Sequence, residues 1–297
     1  MNLRLPAAAA CGPTALFVLL WSSGAIFSKL GLEQASTGVF LSLRFALALA
    51  VLSLLGLARG RWRPRPGTGA RVAGTGAVLV GGYSLAYLFA LDHGLTPGLL
   101  ATLLGLQPIV TLVLTERPLR RTRLAGLALA LAGLVLVVLD SLLRARLGAA
   151  GLAWAFTALA CITAGTLMQK QLAQSPLEVM PLQYAVALVL CLAVLPLAEP
   201  RVQWSAALAL SVVWLALVIS VGATLLLYRL IQRGNLVNVT SLFYLVPAGT
   251  AVLDWIVLGN VMAPAALAGT AAIIGGLVLV ARTGASPESL GSPPPRG

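Results

Sequence analysis

Side chains able to carry acid, base or nucleophile chemistry are scarce in this chain. Its 297 residues hold eight carboxylates (Glu33, Asp92, Glu116, Asp140, Glu178, Glu199, Asp254 and Glu288) and one histidine, His93. Only Asp92 and His93 are adjacent, and a solvated pair in a short loop explains them. Paired carboxylates for general acid–base work are therefore lacking, as is a nucleophile beside its base. Cys11, Cys161 and Cys191 lie far apart in apolar sequence, without C-x-x-C or His/Cys ligand spacing. They read as small apolar fillers, so neither a metal, a cofactor nor a disulfide framework is implied.

What remains is chemistry of recognition. Tyr83 and Tyr87 are one helical turn apart, Ser220, Thr224 and Tyr228 repeat at the same spacing, and Asn238 and Ser241 share a face. Gln107 stands beside Pro108, and Trp21 lies inside an apolar run. Polar groups facing lipid cost free energy, so these faces should look inward. Two roles are open to them. They could line a substrate cavity, or they could tie helices together at about 0.6 kcal/mol per hydrogen bond; Tyr87 and Tyr228 could also anchor at an interface.

The charges that fall within apolar sequence are few. Arg44 and Asp254 each sit in the outer half of an apolar stretch, where an unpaired charge would cost about 2.5–3.5 kcal/mol near the bilayer centre. They could pair with each other or with Lys29, forming either a gate that takes protons or substrate charge, or a structural ion pair. Glu116 occupies the matching place at the inner face. Lys29 and Lys170 read as interfacial anchors rather than gate residues.

Proline supplies the sharpest signal. Pro108 and Pro247 lie in the middle of apolar helices, where each removes its own N–H and frees the carbonyl four residues earlier, at Leu104 and Phe243. In hydrocarbon such a carbonyl is tolerated where protein or cavity water satisfies it. Gly105 and Gly249 loosen the same turns.

These residues need elements to hold them. The chain is 59% hydrophobic and 9% charged, with a mean hydropathy of +0.97, against about 25% charged for a soluble protein. At about 20 residues per crossing, ten spans are expected: 14–32, 37–58, 70–91, 95–115, 121–139, 149–170, 177–198, 205–229, 236–258 and 262–281. Ala7–Ala10 precede the first apolar run and no cleavage-like site follows it, so span 1 is kept rather than read as a signal peptide. The net charge of +12 would suggest nucleic acid for a soluble protein. Here the arginines lie in short loops and report topology instead. Fifteen Lys and Arg fall on the side of the N-terminus, against four on the other (Lys29, Arg144, Arg146 and Arg201). Both ends are therefore expected in the cytoplasm, with residues 283–297 a disordered tail.

The chain also repeats itself. Pro108 precedes Gly126-x6-Gly133 as Pro247 precedes Gly269-x6-Gly276, Gly24-x4-Lys29 answers Gly165-x4-Lys170, and Tyr87 answers Tyr228. Five spans per copy is an odd number, so the copies, 14–139 and 149–281, enter the membrane in opposite senses. The Pro-to-Gly interval is 18 residues in one and 22 in the other, a difference of about one helical turn. Broken helices at matching places in inverted halves point to a site near mid-depth. Small-residue rows, Ala128 and Ala132 in span 5 and Ala268, Ala272 and Gly276 in span 10, read as packing seams that could also serve a homodimer.

Trp21-Ser-Ser-Gly-Ala-Ile-Phe-Ser-Lys29, Leu43-Arg44-Phe45-Ala46, the two mid-helix prolines and the paired Gly-x6-Gly helices together resemble the EamA type of the drug/metabolite transporter (DMT) superfamily, over roughly residues 14–281. The resemblance implies ten helices around a central cavity, with helices 5 and 10 peripheral. The Leu-Gly-Glu such sequences often carry after helix 9 is Leu258-Gly259-Asn260 here. Span 1 has no acid in its apolar part, which argues against proton coupling in the manner of small multidrug-resistance exporters.

The expectation is an inner-membrane, multi-pass, all-α carrier rather than an enzyme. It would export a small metabolite or amphipathic compound by alternating access. A flippase for a lipid-linked intermediate is the nearest alternative; a channel and a membrane enzyme lie further off.

Overall fold

The structure, a computed structural model, describes residues 7–143, 148–197, 200–258 and 263–284. The first repeat holds α1 (Ala7–Gln34), α2 (Thr37–Ala58), α3 (Gly69–Asp92), α4 (Pro97–Thr115) and α5 (Arg121–Val137). The second holds α6 (Ala149–Gln171), α7 (Pro176–Val194), α8 (Ala206–Arg233), α9 (starting at Leu236 and ending at Leu258) and α10 (Pro264–Gly284). Among the described residues, 9 helices are long and apolar enough to cross a bilayer. The tenth, α5, has 17 residues, a rise of about 26 Å at 1.5 Å per residue, and the short helix Leu139–Leu143 follows it. Asn260 and nearly all of the tail expected over 283–297 lie outside the described residues.

Turn chemistry sets the helix ends. Thr96 and Ser205 accept hydrogen bonds from the amides of Leu99 and Leu208 at 3.3 and 3.1 Å. Ser175 and Glu178 form a reciprocal cap ahead of Pro176, and Asn235 caps α9 through the amide of Asn238 at 3.2 Å. Each cap satisfies amides that a helix leaves open at its start.

The repeats are inverted, and the glycine motifs show how they meet. A Cβ on Gly133 would lie 2.5 Å from the Gly269 carbonyl oxygen, and one on Gly276 would lie 2.4 Å from that of Gly126. Gly126 thus faces Gly276 while Gly133 faces Gly269, the pairing of antiparallel helices. The backbones of α5 and α10 touch because neither has a side chain there. This corrects the seam expected from the alanines. Ala128, Ala132 and Ala268 are exposed on the outer face, whereas Ala130 and Ala272 join the glycines inside it. The glycine seam is spent within one chain, so it is not free for a second copy.

Two apolar cores result, beside a small cluster of Ala90, Leu95, Leu100 and Ala155. The larger runs through α1–α3 and α6–α8, with Phe17, Phe40, Phe45, Met180 and Tyr228 fully buried. The smaller joins α5 and α10 to Leu112 of α4 and Tyr244 and Ala248 of α9. The broken helices α4 and α9 therefore lie between the two cores. At one end of the molecule the α1–α2 and α7–α8 loops pair, Ser36 N–H to the Arg201 carbonyl at 2.8 Å and Gln203 N–H to the Gln34 carbonyl at 2.7 Å.

One feature is absent from the expected spans. Residues Gly76–Gly82 of α3 and Leu215–Ala223 of α8, at like places in the two repeats, are π-helical. The Thr224 hydroxyl donates to the carbonyl of Ile219, five residues back, at 2.9 Å. Each wider turn shifts the faces on either side of it, so side-chain spacing alone misplaces them.

Candidate functional site: a cavity between the repeats

α4 stops at Leu104, turns through Gly105 and Leu106, and restarts at Gln107 with Pro108 in its first turn. α9 tightens to a 3₁₀ turn over Leu242–Tyr244 before continuing from Leu245. The two breaks occupy matching positions. Across the second, the Ser22 hydroxyl of α1 donates to the Val246 carbonyl at 3.0 Å and Thr250 donates back to the Ser22 carbonyl at 3.0 Å. These hydroxyls cross-link α1 and α9 beside Pro247.

Between the breaks lies a cavity of about 190 Å³. Pro108 and Pro247 line it, together with Leu104 and Phe243, whose carbonyls lose their usual helical partner to the prolines. Trp21, Tyr83, Tyr87, Gln107, Thr224 and Tyr228 also line it. Trp21 packs edge-on against Phe243 with ring centroids 5.3 Å apart. Gln107 is 2% exposed and donates weakly to Thr166 at 3.4 Å. Ser220 does not line the cavity: its hydroxyl accepts from Arg44 Nε at 2.9 Å, and Arg44 is the residue that lines it.

The lining is unequal at its two ends, and the repeats allow the ends to be compared residue by residue. Ser28, Arg44 and Tyr87 stand where Gln169, Gln183 and Tyr228 stand in the second copy (Gly24-x3-Ser28 against Gly165-x3-Gln169; Leu43-Arg44-Phe45-Ala46 against Leu182-Gln183-Tyr184-Ala185). In the second set Tyr228 donates to Gln183 at 2.8 Å and Gln183 donates to Gln169 at 2.8 Å, all buried. In the first set all three residues face the cavity and no hydrogen bond joins them. The helix crossings are in contact at both ends and tighter at the Gly165 one. A Cβ on Gly165 would lie 2.6 Å from the Leu79 Cβ, while one on Gly24 would lie 3.5 Å from the nearest atom of Ile219. The Gln183 set is bonded together and the Arg44 set is not, while the α1–α2 and α7–α8 loops stay paired at the Arg44 end.

The sequence profile described as the EamA-like transporter family matches residues 13–139 and again 149–282. The chain belongs to that family. It is accordingly a multi-pass membrane transporter of the DMT superfamily, and the family is one of transporters rather than enzymes. One solved crystal structure superposes with a TM-score of 0.77 over 94% of this chain and 99% of its own, at 24% sequence identity, a likeness of fold alone. No curated protein matches the sequence.

The Gln183 end of this EamA-like transporter is tied by charge as well. Arg123, 3% exposed, forms an ion pair with Glu116, and its other amino group donates to Asn235 at 3.1 Å and to Asn238. Asn235 also donates to Glu116 at 3.1 Å. The cluster links the end of α4 and the start of α5 to the start of α9, and so joins one repeat to the other. Asn238 is therefore engaged here and not in the cavity, and the Ser241 hydroxyl turns back to the Asn238 carbonyl at 2.8 Å. In the sequence Arg123 is one of many loop arginines; an acid seven residues before it, across the turn at Pro118, is the hint of its partner. Lys170 caps α8, donating to the carbonyls of Ile231 and Gly234 at 2.7 Å each. This satisfies acceptors that a helix leaves open at its end and complements its dipole. Lys29 is exposed at the opposite end. The side chain of Asp254 lies outside the described residues, and Asp92 accepts from Thr37 while His93 is exposed.

Proposed function

We propose that the chain moves a small amphipathic solute by alternating access, and that this structure is the state parted on the non-cytoplasmic side. One observation carries the reading. Counterpart residues of inverted repeats make different contacts, with Gln169, Gln183 and Tyr228 bonded together and Ser28, Arg44 and Tyr87 apart. Two halves of one design held in opposite conditions are what rocking about a pseudo-two-fold axis produces, since exchanging the conditions opens the other side. The excess of Lys and Arg around Glu116 supports placing the shut end at the cytoplasm. The reading includes an inner-membrane location and export as the direction of use.

Accessibility of cysteines to a membrane-impermeant thiol reagent tests this. In a background with Cys11, Cys161 and Cys191 replaced by Ala, Ser84→Cys should label from the non-cytoplasmic side. Thr163→Cys, buried in the shut half, should label from the cytoplasm, and a solute that slows one should speed the other. Saturable counterflow in proteoliposomes should accompany it. Labelling of both sites without reciprocity would mean a channel. Counterflow of lipid and of no soluble solute would mean a flippase.

A further inference from the structure

Arg44 is a charge that no carboxylate answers among the described residues; the Ser220 hydroxyl and the Phe45 ring, 5.5 Å from the guanidinium carbon, are its neighbours. Among the described residues, no aspartate, glutamate or lysine lines the cavity. Its Nε is committed to Ser220, which fixes the plane of the guanidinium. Ser220 is itself held, because its carbonyl accepts from Tyr184 at 2.7 Å. The two terminal amino groups of Arg44 have no hydrogen-bond partner, and no carboxylate lies within 4.0 Å, among the described residues. Arginine does not shed its proton near neutral pH, so the half-buried guanidinium presents a positive charge to the cavity. The equivalent position in the second repeat is Gln183, neutral and bonded on both sides, so the fold does not require a cation there.

The surroundings point the same way. The hydroxyls of Tyr83 and Tyr87 have no partner among the described residues, and their rings stand 5.8 Å apart. Tyr244, which also lines the cavity, is 1% exposed and its hydroxyl has no hydrogen bond. The unanswered groups are a guanidinium fork and phenols able to donate. Beside them Trp21 and Phe243 offer an apolar wall. A cation would meet like charge and no carboxylate; a planar oxyanion on an apolar body would satisfy the fork with paired N–H···O bonds and cover the wall.

We propose that Arg44 is an anion subsite and that the transported class is small organic anions, a carboxylate or similar oxyanion carried on an aromatic or aliphatic body. This rests on the transport reading above and narrows it. Ser220 acts through Arg44 as a positioning residue.

The test is equilibrium binding to the purified full chain in phosphatidylcholine nanodiscs, using phenylacetate, phenylacetamide and phenethylamine. These share a ring and differ in charge. Phenylacetate should bind at least tenfold more tightly than the amide, and the amine most weakly. In Arg44→Gln, phenylacetate should lose about 10- to 100-fold, the worth of hydrogen bonds to a charged group, while the amide holds within about threefold. Arg44→Lys should keep the preference for the anion with reduced affinity. Because the ratio of acid to amide is taken within one preparation, partial misfolding cancels. An amine bound as tightly as the acid, or a ratio unchanged in Arg44→Gln, overturns the proposal. Adding phosphatidylglycerol separates sources: competition with phenylacetate that Arg44→Gln abolishes assigns the subsite to a lipid headgroup, and absence of competition assigns it to a soluble anion. Charge-selective binding without counterflow would remove transport and leave the subsite; counterflow indifferent to charge would do the reverse.

Discussion

Replacing Glu116 by Gln should loosen the cytoplasmic closure, and the size of the effect follows from where the pair sits. Arg123 is 3% exposed and Glu116 19%, so the pair is shielded from water but not sealed in. At an effective dielectric near 20 the gross attraction of charges about 4 Å apart is about 4 kcal/mol. Desolvation and the partial exposure of Glu116 reduce this to about 1.5–3 kcal/mol, the usual worth of a hydrogen bond to a charged group. The loss falls on the shut state. There Arg123 would remain buried with only Asn235 and Asn238 as partners, whereas on opening it gains water. A shift of about 2 kcal/mol is about thirtyfold in the ratio of states, enough to bring a 99:1 preference near 3:1. Cytoplasmic labelling of Thr163→Cys should therefore accelerate by roughly 10- to 30-fold in Glu116→Gln, on the population-shift argument. The double variant Glu116→Gln/Arg123→Gln should recover part of the closure, since it no longer strands a buried charge. A fall in melting temperature with labelling unchanged would refute the reasoning and leave the cluster as a brace of the fold.

Three further outcomes follow from the same geometry. Gly133→Leu and Gly276→Leu should each lower the melting temperature in detergent, because backbone oxygens lie 2.5 and 2.4 Å from the new Cβ positions and overpacking costs about 1–3 kcal/mol or more; Ala128→Leu, on the exposed face, should not. Tyr228→Phe leaves the buried Gln183 carbonyl oxygen without its donor at a cost of about 1–3 kcal/mol, so cytoplasmic labelling should rise while the acid-to-amide binding ratio stays constant; a changed ratio would make Tyr228 a substrate contact. Pro247→Ala restores an amide across the break in α9 and should change the rate of counterflow more than the amount of protein in the membrane, with equal flux removing the flex-point assignment.

Much of this was legible in the sequence because it depends on local chemistry. A proline in an apolar span breaks the helix wherever the span packs, so Pro108 and Pro247 located the breaks in α4 and α9 without knowledge of their neighbours. The duplication and its odd number of spans gave the inversion by the same logic. What the sequence hid are properties of pairs. Gly-x6-Gly shows that a face is smooth, but only the docked α5 and α10 show that Gly126 meets Gly276 and Gly133 meets Gly269, and that Ala128, Ala132 and Ala268 face outward. The π-helical turns in α3 and α8 leave no proline or charge as a marker, and they change which faces meet: Ser220, grouped by spacing with Thr224 and Tyr228, holds Arg44 instead of lining the cavity. Asn238 was placed by an interior face, yet an arginine from the other repeat claims it. Arg44 was visible as an odd charge, but that no carboxylate among the described residues reaches it depends on how the helices converge.

Inversion also implies an asymmetry that a symmetric scaffold would lack. If the two ends exchange conditions, Ser28, Arg44 and Tyr87 close on one another as Gln169, Gln183 and Tyr228 do now, and the cavity that opens to the cytoplasm presents Gln183 in place of Arg44. An anion would then face a neutral amide where it had faced a guanidinium, and Arg44 would find the Tyr87 oxygen as an internal acceptor. The cytoplasmic-open state should therefore hold phenylacetate about tenfold or more weakly than the state seen here, by the same hydrogen-bond arithmetic. Linkage requires that the anion itself draw the protein toward the present state by the same factor. Phenylacetate should thus speed labelling of Ser84→Cys and slow that of Thr163→Cys, phenylacetamide should do neither, and Arg44→Gln should abolish the difference. Equal effects of acid and amide on both cysteines would show that the charge at Arg44 does not distinguish the two states.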